Sequence, residues 1–323
     1  MDKESIPLQV FCRLSPCDQK SCIDSITENT LKIKYEKGNT IKNYLYSFSK
    51  IFDQDCCQSS VFNDTVSPLV ADLLLGNNSL VFTYGISGSG KTHTMFGSLK
   101  SPGIVIRSLD SLFNSLEYLL SPKYCITSDG LNGFSVQSES DALHMKQKLE
   151  YSENVRSNKY ASRYGSREVD STRHIVAKGY RYAVFASFYE LYNNNFVDLL
   201  SPNTMSTRVK LNIREDTARN VYVSGLTEVE IRSTDEGMHL LEIGRKRRHV
   251  AGTNLNNESS RSHSIFCLKL VRVNADEKYD EIFISNPDVK ISQLCLVDLA
   301  GSERTNRAQT KGDRLKEACE YSA

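Results

Sequence analysis

The chain has 323 residues, of which 39% are hydrophobic and 24% charged, with a formal net charge of +1. That length suits one large domain or two small ones, and the apolar share excludes wholesale disorder. With the charge balanced, no partner can be inferred from bulk charge and any electrostatic surface must be local; no nucleic-acid partner is expected.

No stretch approaches the ~20 apolar residues of a membrane span, and the N-terminal "MDKESIPLQVFCRL" carries no apolar signal core; a soluble intracellular protein is expected. Nine cysteines occur without a C-x-x-C pair, and the six histidines do not cluster near them. This pattern reads as reduced thiols and not as a zinc site.

In chain order, Leu8–Leu14 reads as a short buried strand, and "TLKIKY" and "YLYSFSKIF" alternate as strands do. "NDTVSPLVADLLLG" places Val66, Leu69, Val70, Leu73 and Leu74 on one helical face, with Gly76 as its C-terminal cap. "SLVFTYG" is a strand entering a Gly-rich turn, and "VIRSLDSLFNSLEYLL" is a helix. From about 121 to 180 the periodicity dissolves into a polar, charged stretch, expected to be an insertion whose few apolar residues form no core. Strands resume at "YAVFASFYELY", "NNNFVDLL", "VKLNIRED" and "NVYVSGLTEVEI". Ser233 followed three residues later by Glu236 then marks a capping box and a helix through "RKRRHV". "HSIFCLKLVRV" and "KISQLCLVDLAG" close the series as strands. Strands mixed with helices, one strand feeding a Gly-rich turn, define an α/β layered fold.

"GISGSGKT" matches G-x-x-x-x-G-K-[ST] from Gly85 to Thr92. The composition follows from the chemistry. Backbone N–H groups of Gly85, Ile86, Ser87, Gly88, Ser89 and Gly90 must converge on phosphate oxygens, which bulky side chains would obstruct. Lys91 supplies a point charge, Thr92 a hydroxyl for Mg²⁺, and the helix that follows favours an anion at its start. Such a loop needs an acidic residue at the end of a neighbouring strand, and Asp298 in "QLCLVDLAG" answers that need, with Gly301 able to bring a backbone N–H to a phosphate. "NNESSRSH", Asn256 to His263, offers hydroxyls at Ser259 and Ser260 and a cation at Arg261; alone it is an ordinary polar loop.

These three elements, in this order, resemble the kinesin motor domain: "GISGSGKTHTM", "NNESSRSHSIF" and "LVDLAGSER" are nearly verbatim family signatures. Weaker likeness in "FCRLSP", "SFYELYNNNFVDLL" and "NIREDTARNVYVSGLTEVEIRST" extends it over nearly the whole chain outside the insertion. "GIVIRSLDSLFNSL", the insertion, "RKRRHVAGTNLNNESSRSHS" and "GSERTNRAQTKGDRLKEA" are similar to the mitotic kinesin-like (kinesin-6) group of centralspindlin. The resemblance implies a P-loop NTPase of α/β class, a mixed central sheet flanked by helices, binding ATP and Mg²⁺ and working on microtubules. Gly85 to Thr92 would hold the phosphates; Arg13, Pro16 and His93 would frame the adenine. Where the family usually has R-x-R-P, this chain has Arg13-Leu14-Ser15-Pro16, a change expected to weaken nucleotide affinity modestly or shift base preference. Asn256, Ser259, Ser260 and Arg261 would form switch I, with Ser260 on Mg²⁺. Asp298, Gly301 and Glu303 would form switch II, with Glu303 the proton acceptor through a water relay and Arg261 its partner on closure. The implied setting is cytoplasm and cytoskeleton, at the spindle midzone and midbody or the nucleus, with a centralspindlin-type partner.

Lys311, Arg314 and Lys316 follow switch II and suit an acidic tubulin surface, whereas Arg245–Arg248 ("RKRR") reads as a solvated face. After "RLKEACEYSA" the remaining family elements have no counterpart, so a fold incomplete at its C-terminal side and an unstable or aggregation-prone 1–323 are expected. The alternative to a motor is accordingly a non-motile product that binds nucleotide or a partner at most. A small GTPase would need N-K-x-D, and the nearest match, "NKYA" at Asn158, lacks the Asp; a myosin would share S-S-R but not "DLAGSE".

Overall fold

A computed structural model describes residues 8–16, 22–37, 40–138, 140–145, 147, 167–201, 210–217, 219–253, 261–275 and 287–303. The chain divides into two units, residues 1–65 and 66–323.

In the first unit, β1 (Phe11–Arg13) pairs in parallel with β5 (Lys50–Phe52), and β2 (Ile23–Ile26), β3 (Thr30–Lys37) and β4 (Thr40–Ser47) form an antiparallel sheet, followed by α1 (Gln58–Thr65). Leu8–Leu14 is not the buried strand its composition suggests. Only Phe11–Arg13 find a partner strand, and Leu8 and Val10 stay 78% and 48% exposed. The "YLYSFSKIF" run breaks after Ser47 because its next backbone groups turn to separate partners, Phe48 N–H to the Asn29 carbonyl and Ser49 N–H to that of Val10.

The second unit opens with α2 (Ser67–Leu75), so the periodic run around Val66 is interrupted there and not continuous. Pro68 lies in the first turn, where its missing N–H costs nothing. Gly76 caps α2 in the left-handed conformation (φ 100°) as the sequence predicts. After β6 (Ser79–Thr83), α3 (Lys91–Phe96) and α4 (Ile104–Leu116) come the hairpin β7 (Ile126–Ser128) and β8 (Phe134–Val136) and then β9 (Tyr180–Tyr192). β10 (Asn195–Asp198), β11 (Lys210–Glu215), β12 (Val221–Ser224), β13 (Val229–Ile231), α5 (Thr234–Thr253), β14 (His263–Asn274) and β15 (Val289–Asp298) complete it. The central sheet runs β12-β11-β10-β9-β14-β15-β6, with β13 also on β9. It is mixed: β15 pairs with β6 in parallel, whereas β14 is antiparallel to both neighbours.

β9, β14 and β15 are near-continuous apolar runs because both faces are covered. On one face Phe188 meets Phe266 and Phe96, and Ser292 Oγ donates to the Leu73 carbonyl of α2. On the other, Ile126, Phe134 and Val136 of the β7–β8 hairpin pack with Ala183, Phe185, Val271, Val273 and Val289. The apolar residues of 121–180 are too few for a core of their own, and three of them, on this hairpin, join the core of the sheet. The same stretch also returns at Arg167–Asp170 to α4. There Arg107 donates to Asp170 (3.0 Å) and Glu168 (2.7 Å), and Arg167 grips both oxygens of Asp110 at 2.6 Å. Asp110 and Asp170 are buried, and each is paired, as buried charge requires.

α5 starts with the N-cap half of the predicted capping box, Glu236 N–H donating to Ser233 Oγ (3.2 Å), while the Glu236 carboxylate reaches one residue further back and accepts the Arg232 N–H (2.9 Å). Cys267 and Cys295 oppose one another on β14 and β15 with Cα atoms 4.3 Å apart. Their sequence separation of 28 hides a contact that strand register creates.

Glu230 of β13 accepts the Tyr124 N–H (2.8 Å), and burial raises its pKa to about 7. A raised folded-state pKa for an acid means that its contribution is fully present below the unfolded value and is lost as pH rises through about 7. Urea unfolding of the wild type should therefore report falling stability between about pH 4.5 and 7, by at most ~3 kcal/mol. Glu230→Gln keeps an acceptor for Tyr124 without a titrating group and should lack that slope. Parallel pH profiles for the two proteins would remove the assignment.

Candidate functional site

β6 ends at Thr83 and the chain turns through Gly85–Gly90 into α3. Gly88 (φ 80°) and Gly90 (φ 90°) take the left-handed conformation that lets the backbone fold around a small anion. Lys91 Nζ donates to the carbonyls of Gly85 and Ile86, both at 2.8 Å, which holds the ammonium at the mouth of the loop. His93 lies two residues further on, exposed on α3.

The parallel pairing of β15 with β6, with Asp298 opposite Thr83, delivers the acidic residue to this loop. Thr92 Oγ1 donates to Asp298 Oδ2 at 2.6 Å, and Thr83 Oγ1 to Oδ1 at 3.4 Å; Asp298 is 3% exposed. A hydroxyl and a carboxylate side by side are hard oxygen donors. They suit Mg²⁺, a cation that keeps several of its waters and needs few protein ligands.

Beyond Asp298 the chain turns back over the cradle. Ser302 N–H donates to the Gly85 carbonyl (3.1 Å). A Cβ at Gly301 would meet Ser87 Oγ and the Glu303 carboxylate, the mobile ends of two side chains that would have to shift to admit it. Both Glu303 oxygens are engaged by Ser87, whose N–H donates at 3.0 Å and whose hydroxyl donates at 2.5 Å. Partial burial pushes the Glu303 pKa up, but the Ser87 donors and the nearby Lys91 charge outweigh it and leave it lowered.

Three contacts escape a reading of the sequence. His263 Nδ1 accepts the Ala300 N–H at 3.1 Å, tying the start of β14 to the Gly301 turn. Burial, aided by Arg248 and opposed by Asp298, lowers the His263 pKa and keeps that nitrogen an acceptor. Arg248 donates to Glu190 (3.1 Å) and to both the carbonyl (3.1 Å) and hydroxyl (3.0 Å) of Ser262. His263 lies inside the "NNESSRSH" motif. Arg248 and Glu190 carry no local signal.

"RKRR" is therefore not simply a solvated face. Arg247 donates to the Leu199 carbonyl (2.8 Å), Arg245 lies over the Phe96 ring, and Lys246 pairs with Glu242 one turn back. Arg261 lies in the turn before β14. Asn256, Ser259, Ser260, Lys311, Arg314 and Lys316 lie outside the described residues. Arg13 and Pro16 belong to the first unit, where Arg13 donates to Gln58 Oε1 (2.7 Å) and the Cys56 carbonyl (3.2 Å).

A strand–Gly-rich loop–helix beside a parallel strand that ends in Asp298 defines a P-loop α/β protein. The family model described as "Kinesin motor domain" matches residues 12–322, and the chain belongs to that family. It is 38% identical over 334 residues to kinesin-like protein KIF23 of Mus musculus, an alignment covering 97% of this chain and 35% of that protein. It is 34% identical to kinesin-like protein KIF20A of Homo sapiens, covering 88% and 36% respectively. The chain thus spans about a third of the length of these relatives. A solved structure described as "kinesin 6" superposes with a TM-score of 0.81 at 33% identity, covering 97% of this chain and 78% of that one. A second, described as a fast kinesin, gives a TM-score of 0.68 at 26% identity over 96% and 70%. The mixed sheet and its helices are accordingly the kinesin motor fold.

Proposed function

We propose that this chain is the ATP-hydrolysing part of a microtubule motor acting in mitosis or cytokinesis. The observation that carries the reading is the 2.6 Å contact of Thr92 with Asp298, at the foot of a cradle whose mouth holds Lys91. In this reading Gly85–Thr92 bind the ATP phosphates, and Thr92, Ser260 and Asp298 hold Mg²⁺. Mg²⁺, when bound, neutralises charge on the β- and γ-phosphates. Phosphoryl transfer asks mainly for positioning and electrostatic stabilisation. Asn256, Ser259 and Gly301 position the terminal phosphate and the attacking water, Glu303 takes the proton, and Arg261 stabilises Glu303 on closure.

The fast kinesin is described in terms of an ATPase mechanism and interactions with microtubules. By analogy, tubulin is the proposed partner here, met by Lys311, Arg314 and Lys316. The likeness to KIF23 and KIF20A supports a cytoplasmic, cytoskeletal setting at the spindle midzone or midbody and a centralspindlin-type partner. Steady-state ATP turnover, measured with and without polymerised tubulin, tests the proposal. Polymer should raise turnover at least about tenfold, and the gain should fall with salt because the contact is between opposite charges. Turnover that ignores polymerised tubulin would overturn the motor reading.

A further inference from the structure

Ser87 brings two hydrogen-bond donors to the phosphate cradle, its N–H and its hydroxyl, and both are directed at a carboxylate of the same chain. A carboxylate offers two oxygens sharing one negative charge, and a phosphoryl group offers the same kind of acceptor. Donors that suit one therefore suit the other. The approach is built rather than casual. Gly301 permits close contact with Ser87, Ser302 N–H is fastened to the Gly85 carbonyl, and the Lys91 charge adjoins.

We infer that Glu303 is an internal competitor for the terminal phosphate of the nucleotide, held by Ser87, so that this contact and phosphate binding at Ser87 exclude each other. The inference rests on the ATP reading of the site and adds a role for Ser87 as a positioning residue. Phosphate arriving on Ser87 displaces the Glu303 carboxylate, which is then free to take the proton of the attacking water. The base is thus released by the substrate whose hydrolysis it assists. The hydroxyl at position 87 matters because it makes the hold two-point; without it one N–H remains. Glu303 is partly open to solvent, so screening keeps the hold weak enough for ATP to break.

Charge repulsion alone would also make Glu303 oppose phosphate, and Glu303→Asp separates the two ideas. Aspartate keeps the charge but is one methylene too short to reach both Ser87 donors. The affinities of ATP and ADP are measured by competition against a fluorescent nucleotide for the wild type, Glu303→Asp, Ser87→Ala and the double variant. We expect Glu303→Asp to bind ATP about three- to tenfold tighter, with ADP changed less than about twofold. Ser87→Ala should bring no further tightening in the Glu303→Asp background, a coupling factor of at least about three. A general loss of fold would shift both nucleotides together, so the ATP-to-ADP ratio isolates the contact. Wild-type ATP affinity in Glu303→Asp, or strict additivity of the two substitutions, overturns the inference and leaves the ATP reading standing. Failure of the wild type to bind either nucleotide removes the ATP reading and this inference with it.

Discussion

Lys91→Ala is expected to weaken ATP binding at least about a hundredfold while the protein stays folded. Hydrogen bonds to a charged group contribute about 1.5–3 kcal/mol each, and the ammonium can make two to phosphate oxygens. Losing both removes about 3 kcal/mol or more, which is upwards of a hundredfold in affinity. Nζ already sits at the mouth of the loop, on the Gly85 and Ile86 carbonyls, so it needs little rearrangement to meet a phosphate. Those carbonyls border solvent, and water can satisfy them once the side chain is gone. Calorimetric titration with ATP gives the affinity, and a melting curve confirms the fold. An affinity within about threefold of the wild type, in a folded variant, would rule out the cradle.

Glu303→Ala should separate binding from chemistry. Its carboxylate stands against Ser87, beside the loop that would hold the phosphates, with its pKa kept low enough for it to be an ionised proton acceptor at neutral pH. Removing a general base costs about 10²–10⁴ in turnover. Nucleotide binding should persist, because Lys91, Thr92 and the loop N–H groups do not depend on Glu303. Single-turnover hydrolysis measured beside equilibrium binding gives both numbers. Turnover at the wild-type rate would exclude Glu303 as the base, whereas loss of binding would make it part of the cradle.

The legible parts of the structure are local in the chain. Gly76 ends a helix and Ser233 with Glu236 begins one, since each device acts within one turn of backbone. Gly85–Thr92 is equally local: eight consecutive residues contain the turn, the charge and the hydroxyl. Asp298 is legible by type, as an acid ending an apolar run, but not by partner. The break at Val66 is hidden because Pro68 lies within an otherwise unbroken apolar period. Arg167, Glu168 and Asp170 look like part of a solvated charged run; their packing depends on Arg107 and Asp110, some sixty residues away. Arg248 is illegible for the same reason, since Glu190 lies 58 residues earlier.

The chemistry on offer is written in the chain itself: a phosphate-binding loop, an acidic strand end, a candidate proton acceptor at Glu303, and family signatures in a fixed order. Which of these groups meet is settled by the folded arrangement. Strand register places Asp298 opposite Thr83 and within reach of Thr92, and sets Cys267 against Cys295. The turn at Gly301 carries Glu303 onto Ser87, a contact across 216 residues that no local pattern announces. The physical reason is range. Turns, caps and phosphate loops are specified by neighbouring φ/ψ angles and side chains. Sheet pairing and buried ion pairs form between segments brought together only by burial of the whole apolar surface.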